Sequence, residues 1–208
     1  MAFLGLDFII SSLIWLFLII TFVFIFREQL KKLFYKKSTF DFFISKLKNY
    51  LQNTYPDIKF DYNIIEQSKI EPNPDTRKYL IIDDILKQYL NIELDQSKYP
   101  KGMPENLHWS GYAFNCEPNK NKLPTDWLQR KNALLIRDKN KCFRCSKTLD
   151  INSINIHLIR PLENGGKYFF ENLLSVCRDC EKILSGDNKK INFLDIKEDL
   201  NEIVKDTL

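Results

Sequence analysis

A long apolar run dominates the start of the chain. No charged residue interrupts Phe8–Phe26. As a helix rising ~1.5 Å per residue, this run would extend roughly 28 Å, close to the ~30 Å hydrocarbon thickness of a bilayer. A buried core helix is rarely apolar on all sides over such a length, and a cleaved signal peptide is disfavoured because Met1–Asp7 contains no Lys or Arg. The pattern predicts a single N-terminal transmembrane helix.

The residues that follow this run are mainly basic, with Glu28 as the acidic exception. Because positively charged flanks stay in the cytoplasm, residues 8–26 are expected to lie in the lipid bilayer, with the C-terminal domain in the cytoplasm. This predicts a single-pass protein of the inner (cytoplasmic) membrane, in which residues 1–37 form the anchor and its basic juxtamembrane segment. The basic residues are Arg27, Lys31, Lys32, Lys36 and Lys37.

Residues 38–95 show helical, then alternating, then helical spacing of apolar positions. The first helical pattern is expected to end near Tyr55-Pro56, because the residue before a proline is biased away from helix. Ile58–Ile65 alternates enough for a short strand. Asn73-Pro74 then reads as an N-cap followed by proline at the first helical position. The pattern predicts a small α/β spacer domain with the order helix, strand, helix.

Residues 96–124 are punctuated by proline and glycine, which is typical of a connector. His108 within it is interpreted as a surface histidine, and Cys116 as a thiol without a metal-binding partner. Asp83 and Asp84 precede the connector, but adjacent helical residues diverge by about 100° and do not share a site. None of these residues is predicted to carry chemistry.

Residues 125–208 are predicted to form the C-terminal domain. A helix is expected from Thr125 or Asp126 to about Asp138, and a second over Phe193–Asp206 with an apolar stripe that packs on the body. Together with the spacer, this places the chain in the α+β class. The stripe consists of Ile196, Leu200, Ile203 and Val204.

Composition excludes some classes of protein. With 44% hydrophobic and 28% charged residues in 208, the chain is ordinary for a folded protein, which disfavours disorder. The net charge of +4 says little, but basic residues are concentrated between Lys120 and Lys147. Such a patch attracts phosphate backbones, although a solvated lysine-rich surface is the alternative. The candidates for nucleic-acid binding are Arg130, Lys131, Arg137, Lys139, Lys141, Arg144 and Arg160.

Four of the five cysteines stand in two Cys-x-x-Cys pairs, Cys142/Cys145 and Cys177/Cys180. A two-residue gap lets one tight turn present both sulfurs to one ion, and two such pairs complete a tetrahedral zinc site. Redox chemistry would need only one pair. The spacing therefore predicts a structural Zn²⁺ ion held by four thiolates in a reducing compartment.

The residues around and between these pairs resemble a known family. They read R-D-K-N-K-C-F-R-C, then I-H-L-I-R-P-L-E-N-G-G, then E-N-L and C-R-D-C. With this order and spacing, Trp127–Glu181 resembles the HNH endonuclease family in its zinc-ribbon form. The resemblance implies a ββα-metal fold, in which a β-hairpin and a helix hold a divalent ion, and it implies DNA as the partner.

The resemblance also assigns roles to individual residues. Asn172 stands where the family places the asparagine that fastens the hairpin loop. His157 occupies a metal-ligand slot, and Glu181 occupies the slot of the last, metal-binding histidine. The general-base slot holds Leu158, which cannot accept a proton. The implied catalytic residues are His157, Asn172 and Glu181, with a second divalent ion (Mg²⁺, Mn²⁺ or Ni²⁺) on His157 and Glu181.

Three functions are consistent with these residues. The first is metal-dependent phosphodiester hydrolysis on DNA by a membrane-anchored HNH-family protein, with activity impaired by Leu158 and Glu181. The second is a catalytically inactive HNH-like module that binds DNA or serves as a scaffold. The third is a structural zinc module that binds another protein.

Overall fold

A computed structural model describes residues 2–119, 122–186 and 188–207; the side chains at positions 2–10, 23, 28–38 and 188 lie outside the described part. The described chain is mostly helical with one small sheet. In chain order the elements are α1 Ala2–Thr54, α2 Asn63–Gln67, α3 Pro74–Leu90, α4 Trp127–Arg137, β1 Asn155–Leu158, β2 Leu173–Val176, α5 Arg178–Leu184, α6 Asn188–Ile191 and α7 Asp195–Lys205.

The predicted transmembrane helix over Phe8–Phe26 is wrong. In the described part of the chain, no helix combines the length and the apolar character that crossing a bilayer requires. The predicted bilayer contact and single-pass topology rested on that helix.

The basic residues predicted to follow the helix fall mainly outside the described side chains, and Arg27 is the exception. The others are Lys31, Lys32, Lys36 and Lys37.

The helix α1 changes character along its length. Described apolar side chains between Leu13 and Phe26 are exposed, whereas Phe43 and Leu47 are completely buried. The helix ends close to where Pro56 was expected to stop it. Among the described side chains of α1, those from Phe40 to Leu51 contribute to the protein core.

The α+β class and the predicted α/β spacer are also wrong. Ile58–Ile65 forms no strand, and α2 occupies its last residues. The backbone of Asp61 is satisfied by a side chain instead: its N–H donates to Gln88 Oε1 at 2.8 Å, and its carbonyl accepts from Gln88 Nε2 at 2.9 Å. Asp61 Oδ1 in turn accepts from the Asn63 N–H at the start of α2. With these partners supplied by α3, the segment needs no neighbouring strand.

Asn73 caps α3 as expected, because its side chain accepts from the Asp75 N–H at 2.9 Å and Pro74 takes the first helical position. Helices α1, α3 and α7 pack on one another, and the predicted apolar stripe of α7 is buried. Side chains also join α1 and α3 to the C-terminal part of the chain. Tyr50 of α1 donates to Asp199 at 2.6 Å, and the buried Lys78 of α3 donates to the Thr207 carbonyl at 2.7 Å.

The buried apolar residues from Phe40 to Val204 form one core cluster. Both flanks of the cysteine pairs therefore share a single interior. The domain boundaries after residues 37, 95 and 124 stay predictions.

The strands β1 and β2 pair antiparallel, with His157 opposite Leu174 and Leu158 opposite Leu173. The helix α5 follows β2 after Cys177 and packs against β1. The small sheet therefore has one helix laid across it, and this β-β-α unit positions the site described below.

We expect Phe43→Ala to destabilise the protein by about 3–5 kcal/mol, because a fully buried aromatic side chain is deleted. The adjacent Phe42 is 57% exposed and provides a matched control, so Phe42→Ala should change the free energy of unfolding by about 0.5 kcal/mol or less. Urea denaturation of the zinc-loaded protein measures both values. Equal losses in the two variants would contradict the burial pattern of α1.

Candidate functional site

The four cysteines of the two pairs meet in one cluster. Each of the four sulfur atoms lies within 4.8 Å of the other three, and all four side chains are buried. The Cys145 and Cys177 sulfurs are 3.7 Å apart. Ligands at a Zn–S distance of ~2.3 Å lie about 3.8 Å apart at the corners of a tetrahedron. The cluster therefore fits a structural zinc ion, and Cys116 does not belong to it.

Local backbone hydrogen bonds orient the four cysteine sulfurs towards one another. The Ser146 N–H donates to the Cys142 carbonyl at 2.8 Å, and Ser146 adopts a positive φ of 60° that closes the turn between the first two cysteines. The second pair begins α5, where the Cys180 N–H donates to the Cys177 sulfur at 3.5 Å. The Cys177 N–H donates to the Cys142 sulfur at 3.3 Å. Each pair is thus presented by its own turn, and the Cys177 N–H links the two turns.

The buried Tyr89 of α3 lies beside the cluster, with its hydroxyl 3.4 Å from the Cys180 sulfur. Burial raises the pKa of Tyr89, and the neighbouring cysteine charges raise it further. The hydroxyl therefore stays protonated and can donate a hydrogen bond to the sulfur.

His157 and Glu181 come together across the interface between β1 and α5. His157 Nδ1 lies 3.1 Å from Glu181 Oε2, and both side chains are partly buried. The two residues stand far apart in the sequence and meet only because α5 packs on β1. The structure therefore brings together the two residues predicted to bind a second ion.

Asn172 fastens the loop between the strands. Its Oδ1 accepts from the Arg160 N–H at 2.7 Å, and its Nδ2 donates to the carbonyls of Arg160 at 3.0 Å and Lys167 at 2.8 Å. The loop is tight at Gly166, where a Cβ atom would lie 1.9 Å from the Arg160 carbonyl oxygen. The predicted contact of Asn172 is present, while the catalytic roles of His157, Asn172 and Glu181 stay predictions.

Leu158 does not share the position of its neighbour His157. It is partly buried and packs against the core cluster, because successive side chains of a strand point to opposite faces. Its apolar side chain offers no group that could accept a proton.

Arg130 and Arg144, predicted to contact nucleic acid, are instead buried, with exposures of 0% and 7%. Arg130 bonds to Asp126 and to the carbonyls of Tyr112 and Tyr168. The prediction that they contact nucleic acid is corrected: both have a structural role, because their guanidinium groups face the interior.

Arg137 also points largely inward. It is 21% exposed, pairs with Asp138, and donates to the carbonyls of Phe170 and Leu173, each at 2.8 Å. It therefore helps to hold β2 against α4.

The remaining basic candidates lie nearer the surface. Lys139, Lys141 and Arg160 are exposed, and Lys131 is partly buried and donates to the Ile154 carbonyl. Lys141 pairs with Asp57 at 3.1 Å, and Arg160 Nε donates to the Asn164 carbonyl at 2.5 Å. Arg160 adjoins the loop that Asn172 fastens. Contact between these residues and nucleic acid stays a prediction.

Sequence reasoning missed Tyr89 as a neighbour of the cysteine cluster. The helical spacing of Tyr79, Ile82, Ile85 and Tyr89 predicts only that they share one face of the helix. No motif links α3 to the cysteine pairs, so the contact could not have been found without the tertiary structure.

Comparison with known proteins gives one match. Residues 142–185 match the model of the family described as HNH endonuclease. No curated protein and no solved structure matches the chain. The match confirms the resemblance and supports a nuclease-family assignment for this segment, which contains all four clustered cysteines.

We expect Cys145→Ala to abolish zinc retention and to reduce the helical circular-dichroism signal, since structural zinc supplies about 10–16 kcal/mol in small zinc modules. Cys116→Ala is the matched control, because Cys116 is equally buried and lies outside the cluster. Metal analysis of the purified proteins measures the zinc content. A Cys145→Ala variant that keeps its zinc would contradict the site.

We expect Asn172→Ala to loosen the loop between β1 and β2, because it deletes all three side-chain bonds. The loss should be about 1–3 kcal/mol. Hydrogen exchange at the Arg160 amide should accelerate accordingly, while exchange in α7 stays unchanged if the opening is local. Wild-type protection at Arg160 in the variant would show that the loop does not depend on Asn172.

Proposed function

We propose that this protein, whose residues 142–185 match the HNH endonuclease family, acts on DNA and that its phosphodiester hydrolysis is impaired. One observation carries the proposal: the His157–Glu181 pair and the loop fastened by Asn172 are assembled around a strand whose general-base position holds Leu158. The scaffold supports a nuclease, and one residue needed for proton transfer is replaced.

The His157–Glu181 pair suits a second divalent ion. Two adjacent ligands at ~2.0–2.2 Å from one ion lie about 3 Å apart at a right angle, and the two side-chain atoms are 3.1 Å apart. A bound Mg²⁺, Mn²⁺ or Ni²⁺ would supply Lewis-acid stabilisation of charge on the phosphate. His157 and Glu181 would hold it, and Asn172 would keep the adjacent loop in place.

The impairment follows from the chemistry of Leu158. Loss of a positioned general base lowers a rate by about 10²–10⁴. His157 points to the opposite face of the strand from Leu158, and a one-residue shift of β1 would turn the histidine to the other face of the sheet. Glu163, a carboxylate that could accept the proton in place of the missing base, is exposed in a turn of the loop.

Contact with DNA is supported by charge. Lys139, Lys141 and Arg160 are exposed, and exposed cations attract the phosphate backbone with little sequence preference. Arg160 lies next to the loop held by Asn172, so a strand bound there would pass the candidate site. This contact would weaken steeply as salt rises.

Leu158 also supports a second candidate function, a module that binds DNA without cutting it. Both functions share the zinc cluster and the exposed cations, and they differ only in turnover. Fluorescence anisotropy with a labelled duplex at several salt concentrations tests the binding they share.

We expect the double variant Leu158→His/Glu181→His to nick plasmid DNA about 10²–10⁴-fold faster than the wild type in Mg²⁺, Mn²⁺ or Ni²⁺, because it restores a proton acceptor and an imidazole ligand. The matched control is Ile156→His/Glu181→His, which places a histidine two residues earlier on the same strand and should gain nothing. Adding His157→Ala to the double variant should remove the gained activity.

Two results would overturn parts of the proposal. Wild-type nicking as fast as that of the double variant would show that the centre is not impaired. No gain in the double variant together with no salt-sensitive DNA binding would reject DNA as the partner, and would leave a zinc module that binds protein.

A further inference from the structure

The helix α3 reaches the cysteine cluster although it lies outside the segment that matches the HNH family. Tyr89, in its last turn, is completely buried. Its hydroxyl lies 3.4 Å from the Cys180 sulfur and 3.9 Å from the Cys177 sulfur. Sulfur is larger than oxygen, so 3.4 Å is a hydrogen-bonding distance. A zinc-bound thiolate carries no proton, so the tyrosine must be the donor.

Arg144 contacts the same cysteine of the cluster. Its Nη1 lies 3.6 Å from the Cys180 sulfur, and its Nη2 donates to the carbonyls of Tyr89 at 2.8 Å and Leu90 at 2.9 Å. Its Nε donates to the Ile92 carbonyl at 3.1 Å. The Tyr89 and Leu90 carbonyls lie in the last turn of α3, where donors within the helix run out, and the Ile92 carbonyl lies just beyond the helix. One buried guanidinium group therefore donates hydrogen bonds both to carbonyls at the end of α3 and to a cysteine sulfur.

We propose that Tyr89 and Arg144 are outer-sphere donors to the zinc thiolates, and that α3 is part of the zinc-binding unit. Both hydrogen bonds converge on Cys180. A hydrogen bond to a thiolate disperses its charge, which stabilises four negative ligands on one divalent ion in a buried site. The inference concerns metal retention and holds whether or not the protein cleaves DNA.

The arrangement also reaches the candidate catalytic pair. Cys180 immediately precedes Glu181 in α5. Fixing the Cys180 sulfur from α3 fixes the first turn of α5, and with it the position from which Glu181 meets His157. Tyr89 and Arg144 are therefore positioning residues for Glu181 as well as donors to the zinc site.

The test is zinc affinity of the full-length protein, measured by competition with a chromogenic chelator. Tyr89→Phe removes one oxygen atom and leaves the ring in place. We expect its zinc affinity to fall about 10-fold, since outer-sphere substitutions typically cost 10–100-fold. Arg144→Lys should also weaken binding, because an ammonium lacks the fork that serves both the sulfur and the helix end. In the cobalt-substituted protein, Tyr89→Phe should shift the thiolate-to-cobalt charge-transfer band.

Two matched controls separate the hydrogen bond from packing. Tyr79→Phe removes the hydroxyl of a tyrosine on the same helix that is 49% exposed, and Ile85→Val trims a fully buried neighbour one turn before Tyr89. Both should keep zinc affinity within about 2-fold of the wild type. The proposal fails if Tyr89→Phe stays in that range with an unshifted cobalt spectrum, or if Ile85→Val weakens zinc as much as Tyr89→Phe.

Discussion

The convergence of four cysteine sulfurs on one point is the constraint on which the rest of the structure depends. The pairs lie on two turns, one following α4 and the other opening α5, and each turn is oriented by its own backbone hydrogen bonds. A bound zinc ion would tie these turns together, and with them the strands and helix between which His157 and Glu181 meet. Without that tie, two four-residue strands and a seven-residue helix have little to hold them in register.

Polar groups that are normally found at protein surfaces serve the interior here. Lys78, Arg130 and Arg144 are each less than 10% exposed, and each donates to at least one backbone carbonyl, so its buried polar group has a hydrogen-bond partner. Arg144 reaches a cysteine sulfur as well. A segment rich in arginine and lysine can therefore contribute more to packing than to surface charge, and counting its charges overstates the surface left for nucleic acid.

The candidate centre combines an intact scaffold with an altered functional position. The Asn172 side chain makes three hydrogen bonds to the loop, and Gly166 permits the close approach of the backbone at Arg160. Under the proposed function, Leu158 cannot accept a proton, and Glu181 takes the place of a metal-binding histidine. Under the proposed function, the scaffold and the chemistry depend on different residues, so a loss of activity does not require a loss of the fold.

The sequence by itself determined the metal cluster, the family resemblance, the start of α3 and the approximate extents of α4 and α7. These depend on local spacing and, at the start of α3, on the Asn73 cap. Tertiary structure decided the rest. Ile58–Ile65 was predicted to be a strand, but the Gln88 side chain makes the hydrogen bonds to the Asp61 backbone that a neighbouring strand would make. The apolar run at Phe8–Phe26 was wrongly predicted to cross a membrane. The burial of Arg130 and the contact of Tyr89 with Cys180 depend on residues distant in sequence, so no local pattern could reveal them.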